Sequence, residues 1–141
     1  MSVLGIANRL AMVTIVVPDY DEGLAFFVGK LGFACVEDTP LDAQKRWVVV
    51  TPGSGTHLLL ARAANDDQAA AIGRQAGGRV GFFLNTDDIA QSLRLLERAG
   101  VEIERPLRRE PYGSVLVFRD PFGNLWDLIE PAATPSCEKA A

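Results

Sequence analysis

Two side chains hold most of the chemistry this sequence offers. His57 is the single histidine, the one side chain whose ordinary pKa lies near neutrality. Asp127 stands in Leu125-Trp126-Asp127-Leu128-Ile129. Period-two alternation there sets Leu125, Asp127 and Ile129 on one strand face, and Trp126 and Leu128 on the other. A carboxyl on a partly apolar face has its charged form disfavoured, which makes Asp127 a candidate proton carrier or binding group. Each residue also has a plainer reading. His57 fits a surface strand end beside Pro52-Gly53-Ser54-Gly55, and Asp127 fits an ion pair with Arg119 or Arg79. We take His57 and Asp127 as the candidate catalytic pair.

Other chemistries lack their residues. There is no Gly-x-Ser-x-Gly elbow, and Gly53-Ser54-Gly55 is better explained as a hairpin turn. No phosphate loop or dinucleotide fingerprint occurs. Two cysteines, Cys35 and Cys137, give neither a disulfide framework nor zinc spacing. Cys35 lies in an apolar stretch and is predicted to be a buried thiol; Cys137 lies in the tail. A reducing cytoplasm is the expected location. The aromatics Trp47, Phe83, Tyr112, Phe118 and Trp126 suit a pocket for a flat or apolar molecule, although each alone also fits a core. Arg108-Arg109-Glu110-Pro111-Tyr112-Gly113 reads as a loop, either offering a guanidinium to an anionic ligand or simply solvated.

The chain of 141 residues and 15.2 kDa is expected to form one compact domain. With 48% hydrophobic and 23% charged residues it is not a disordered chain. A net charge of −4 and a pI near 4.9 argue against nucleic-acid binding, which needs a basic face. No apolar run approaches the ~20 residues of a membrane helix. The first ten residues show no secretion signal.

Residues 12–17 are β-branched and closed by Pro18, which predicts a strand. Asp19 or Asp21 caps a helix over 20–30, and Gly32 ends it. Strands follow at 33–37, 46–51 and 57–61, with a polar loop over 38–45. Residues 63–78 read as a linker with a helical turn near 66–74. The pattern then restarts: strand 79–85, helix 88–99 capped by Thr86 or Asp87, and Gly100 as its stop. A strand at 101–104, a loop at 105–112 and strands at 114–119 and 125–129 complete it. Residues 132–141 form a frayed tail.

The restart reads as an internal repeat. Asp19 matches Asp88, Gly32 matches Gly100 and Gly55 matches Gly123, at offsets of 69, 68 and 68 residues. Each half reads strand–helix–strand–strand–strand. The expectation is an α+β fold of two βαβββ modules, about 10–62 and 79–131, whose mixed sheets form a half-barrel-like cleft.

The segments that carry this pattern resemble the vicinal oxygen chelate superfamily of glyoxalases, bleomycin-resistance proteins and extradiol dioxygenases. They are Val16-Val17-Pro18-Asp19-Tyr20, Leu31-Gly32-Phe33, Asp87-Asp88-Ile89, Gly100-Val101 and Asp120-Pro121-Phe122-Gly123-Asn124-Leu125-Trp126-Asp127-Leu128. The last is similar to the family's Asp-Pro-x-Gly-Asn-x-x-Glu-Leu ending. The resemblance covers about residues 10–131 and implies a homodimer in many relatives.

In metal-using relatives, a His often opens each module's first strand and a carboxylate stands on each last strand. Together they hold an ion that chelates vicinal substrate oxygens as a Lewis acid. Carried over by position, those places hold Met12, Gly81, Leu59 and Asp127. One carboxylate remains, and a thioether suits such ions poorly. His57, two residues before Leu59, shares its strand face and offers a shifted register, which still makes only two ligands.

The leading expectation is therefore a small-molecule-binding protein without a catalytic metal or other cofactor. The residues expected to meet ligand are Met12, Trp47, Leu59, Gly81, Phe83, Asn85, Tyr112, Phe118 and Trp126. A metal-dependent lyase, isomerase or dioxygenase using a weakly held divalent ion at His57 and Asp127 is the alternative. A pure interaction protein with a filled cavity is the third reading. No nucleic-acid or membrane partner is expected.

Overall fold

The computed structural model describes residues 5–133. Its contacts divide the chain into two units, the first up to Ala70 and the second from Ala71. Each is built on one four-stranded mixed sheet, open at both edges.

In the first unit, β1 (Met12–Val17) runs parallel to β4 (His57–Arg62), and β3 (Arg46–Thr51) is antiparallel to β4 and to β2 (Ala34–Pro40). The order is β1-β4-β3-β2. Asp19 caps α1 (Tyr20–Leu24), its Oδ2 accepting from the backbone N–H of Asp21 at 3.0 Å and of Glu22 at 3.1 Å. From Ala25 to Lys30 the helix continues with π-type hydrogen bonding, so the expected helix is one stretch with two bonding patterns. Gly32, at φ +77°, stops it. The helix packs close to the sheet: a Cβ on Gly23 would lie 2.9 Å from Leu60 Cδ1. Ile15, Val17, Val48, Val50 and Leu60 fill that face and are fully buried. Each such side chain contributes roughly 1.5–3 kcal/mol.

The second unit has the same order, β5-β8-β7-β6. Its strands are β5 (Val80–Asn85), β6 (Glu102–Glu110), β7 (Gly113–Arg119) and β8 (Leu125–Pro131). The β5–β8 pair is parallel and the others are antiparallel. The cap of α3 (Ile89–Arg98) is Asp88, which accepts from the Gln91 N–H at 3.0 Å. Thr86 and Asp87 were the expected caps; Thr86 instead accepts from the Asp88 N–H and shares a hydrogen bond with Ser92. Glu130 Oε1 accepts from the Ile89 N–H at 2.9 Å, which sets α3 against the face bearing Glu130, Leu128 and Trp126.

Three further expectations are corrected. The strand expected at 33–37 extends to Pro40, which shortens the following loop. The loop expected at 105–112 is mostly β6, an edge strand whose register slips between Ile103 and Arg105 and again between Arg105 and Arg108. Edges and bulges tolerate the charges and the Pro106 that suggested a loop. The helical turn expected near 66–74 is the short helix α2 (Asp66–Ala71). Cys35 is exposed, because β2 is the sheet's outer strand and is solvent-facing along its length. Cys137 and the tail beyond Ala133 lie outside the described residues. Among the described residues no helix is long and apolar enough to cross a membrane.

Candidate functional site

The strand pairings decide which side chains share a face. In the first sheet, Met12 pairs with His57, Thr14 with Leu59 and Val16 with Ala61. These stand on the face opposite the helix-packed Ile15, Val17 and Leu60. Trp47 and Val49 of β3 share it, since Val49 pairs with Leu59. Toward the ends of β1 and β4 this face forms a cavity of about 830 Å³, with Thr14, Val16, Trp47, Leu59 and Ala61 in its lining. Tyr20, the 42–46 hairpin and Gln68 complete the wall. Trp47 and Leu59 are thus brought together, while Met12 and His57 sit side by side at the start of their strands, outside the cavity lining.

Arg46 fixes the cavity's rim. Its guanidinium donates to Asp38 at 2.7 Å and to Asp21 at 3.0 Å, and lies 5.2 Å from the Tyr20 ring centroid. The bond from Arg46 holds the Asp38 carboxyl below its ordinary value. Asp42 Oδ1 accepts from the Gln44 and Lys45 N–H groups at 2.8 Å, which shapes the hairpin tip.

In the second sheet, two rows run across all four strands. One is Arg105, Val117, Asp127 and Phe83; the next is Arg108, Val115, Ile129 and Asn85. Asp127 pairs with neither Arg119 nor Arg79. Arg119 binds Glu104 at 2.9 Å and Glu102 at 3.4 Å instead. Burial pushes the Asp127 carboxyl above its ordinary value, against the pull of Arg108 and Arg105. Phe83 is 65% exposed and Asn85 is exposed. Tyr112 projects at the β6–β7 turn. Gly81 sits at a register slip in β5 and lines a separate, smaller pocket.

Phe118 and Trp126 stand on the other face. Both are buried, with ring centroids 5.7 Å apart, and Phe82 stacks on Trp126 at 4.5 Å. Trp126 Nε1 donates to the buried Asp120. These two expected pocket aromatics belong to the core. Thr14 and Val16, which line the cavity, went unnoticed in the sequence although period two from Met12 places them on its face.

The family model for the Glyoxalase/Bleomycin resistance protein/Dioxygenase superfamily matches residues 9–128. The chain belongs to this superfamily. The chain is similar to an uncharacterized protein of Shewanella frigidimarina (strain NCIMB 400), 48% identical over 126 residues, covering 87% of this chain and 93% of that one. Among solved structures, UcmS2 is 28% identical with a TM-score of 0.77, covering 89% of this chain and 99% of that one. TnmS3, an antibiotic binding protein from Streptomyces sp. CB03234, is 27% identical with a TM-score of 0.72, over 91% and 98% of the two chains.

The positions that the superfamily resemblance points to as metal ligands are Met12, Leu59, Gly81 and Asp127. Met12 and Leu59 in the first sheet, and Gly81 in the second, offer no hard donor, leaving Asp127 as the one carboxylate. Among the described residues no three His, Cys, Asp or Glu side chains gather as ion ligands.

Proposed function

We propose that this superfamily member binds a small, partly apolar molecule on the open face of its first sheet, with no resident metal ion, and acts by sequestration. The observation that carries the reading is the cavity of about 830 Å³, floored by Val16, Leu59 and Ala61 and walled by Trp47. Such a surface removes apolar ligand area from water and offers an indole for stacking, while the rim residues set orientation. That TnmS3 is an antibiotic binding protein supports a small-molecule ligand of this kind. His57 and Asp127 lie outside that lining, so this reading gives them no catalytic step.

Isothermal titration with Ni, Zn, Mn and Co ions tests the metal-free part. No tight binding is expected. A submicromolar site abolished by Asp127→Ala would overturn it.

A further inference from the structure

The second unit carries a pocket of about 410 Å³ between the segment that follows α2 and the β7–β8 turn. Its walls are largely backbone, from Gly73, Gly78, Gly81 and Gly123. Gly73 makes this closeness possible. It holds φ +71°, and a Cβ there would collide with the Phe122 carbonyl oxygen. The side chains are strongly one-sided: Arg74, Arg79 and Arg119 line the pocket, and no lining residue is acidic. That is notable in a chain of net charge −4.

The three arginines are not equivalent. Arg119 is committed to Glu102, Glu104 and the Gly123 carbonyl oxygen. Arg74 and Arg79 place no guanidinium on any other described residue. Two exposed arginines whose guanidiniums are unspent, lining the same pocket as a wall of glycine backbone, supply the groups that a planar or tetrahedral oxyanion needs. Arginine forks match such oxygens two at a time, and glycines let the anion approach the main chain.

We infer that this pocket is a binding site for a phosphate-class oxyanion, held by Arg74 and Arg79 and separate from the first-sheet cavity. The volume leaves room for a small organic body beside the phosphoryl group.

The test is an amide NMR titration of the full chain at constant ionic strength, with inorganic phosphate, phenyl phosphate and phenol. Both phosphates should give saturable shifts confined to residues 72–81 and 119–125, and phenol none. Tighter binding of phenyl phosphate identifies a phosphate ester as the ligand type; equal binding identifies free phosphate. The double variant Arg74→Gln/Arg79→Gln should weaken binding about tenfold or more. Arg94→Gln/Arg98→Gln, which removes the same charge from α3, should change it less than about twofold. The inference fails if both variants lose affinity equally, if the site variant loses none, or if shifts spread over the surface without saturating.

Discussion

Asp120 gives the most direct energetic test of how the β7–β8 turn is built. It is 2% exposed, and its carboxylate accepts four hydrogen bonds. Oδ1 takes the Phe122 N–H at 3.0 Å and the Asn124 N–H at 2.9 Å. Oδ2 takes Asn124 Nδ2 at 2.9 Å and Trp126 Nε1 at 3.0 Å. Asp120→Ala takes this acceptor away from four donors, three of them in buried residues that water reaches poorly. At about 1 kcal/mol per bond the loss is about 4 kcal/mol. That is a large part of the ~5–15 kcal/mol a domain normally has. Asp120→Asn keeps one acceptor oxygen but turns an amide N–H₂ toward two donors, so about half that loss is expected. Equilibrium urea unfolding followed by the buried Trp126 measures both. An Asp120→Ala loss below about 1 kcal/mol would refute the reasoning, because it would mean those donors find other partners.

Three more outcomes follow from the same geometry. Burial raises the folded-state pKa of Asp127, so its stabilising contribution is full below the unfolded carboxylate pKa and is lost as pH rises through the folded value. Asp127→Asn should remove that loss, and a wild-type-minus-variant stability difference that stays constant with pH would contradict it. Asp38 and Glu104, lowered by Arg46 and Arg119, act in the opposite sense: their contributions disappear as pH falls, so the mutant comparison isolates Asp127. Gly73→Ala should cost about 1–3 kcal/mol in thermal melts and shift the amides around Phe122 and Gly123, since both φ and the Phe122 carbonyl forbid a Cβ. Sheet edges at β1, β2, β5 and β6 are available for pairing, and we propose a homodimer: sedimentation should show about twice 15.2 kDa at micromolar concentration, and a lone-chain mass would reject it.

The frame of the fold was legible because local rules wrote it. Asp19 caps the first helix as its position before the helix suggests, and Gly32 and Gly100 end their helices at φ +77° and +76°, whereas the second cap falls on Asp88, next to the expected Asp87. Strand 46–51 was read to the residue, because Trp47 to Thr51 are large or β-branched on both faces. The edge strands were hidden. Charge and proline in β6, and polarity near the end of β2, resemble loop chemistry, and only pairing with β7 and β3 makes them strands. Pairing also decided the candidate site. Alternation assigned Asp127 its face correctly, but no local signal said that Trp126 would be pinned by Asp120, or that Thr14 would pair with Leu59 across a parallel crossover. The π-type turn of helix 20–30 left no pattern in the sequence that we can name.

We propose that a small apolar molecule occupies the Trp47 wall of the first sheet with no metal ion present. A calorimetric screen of aromatic antibiotics in EDTA, repeated with Trp47→Ala, measures this directly. Binding should be indifferent to EDTA and weakened about tenfold or more by the substitution. Binding that appears only when Ni, Zn, Mn or Co is restored, and that depends on Asp127 instead of Trp47, would contradict it.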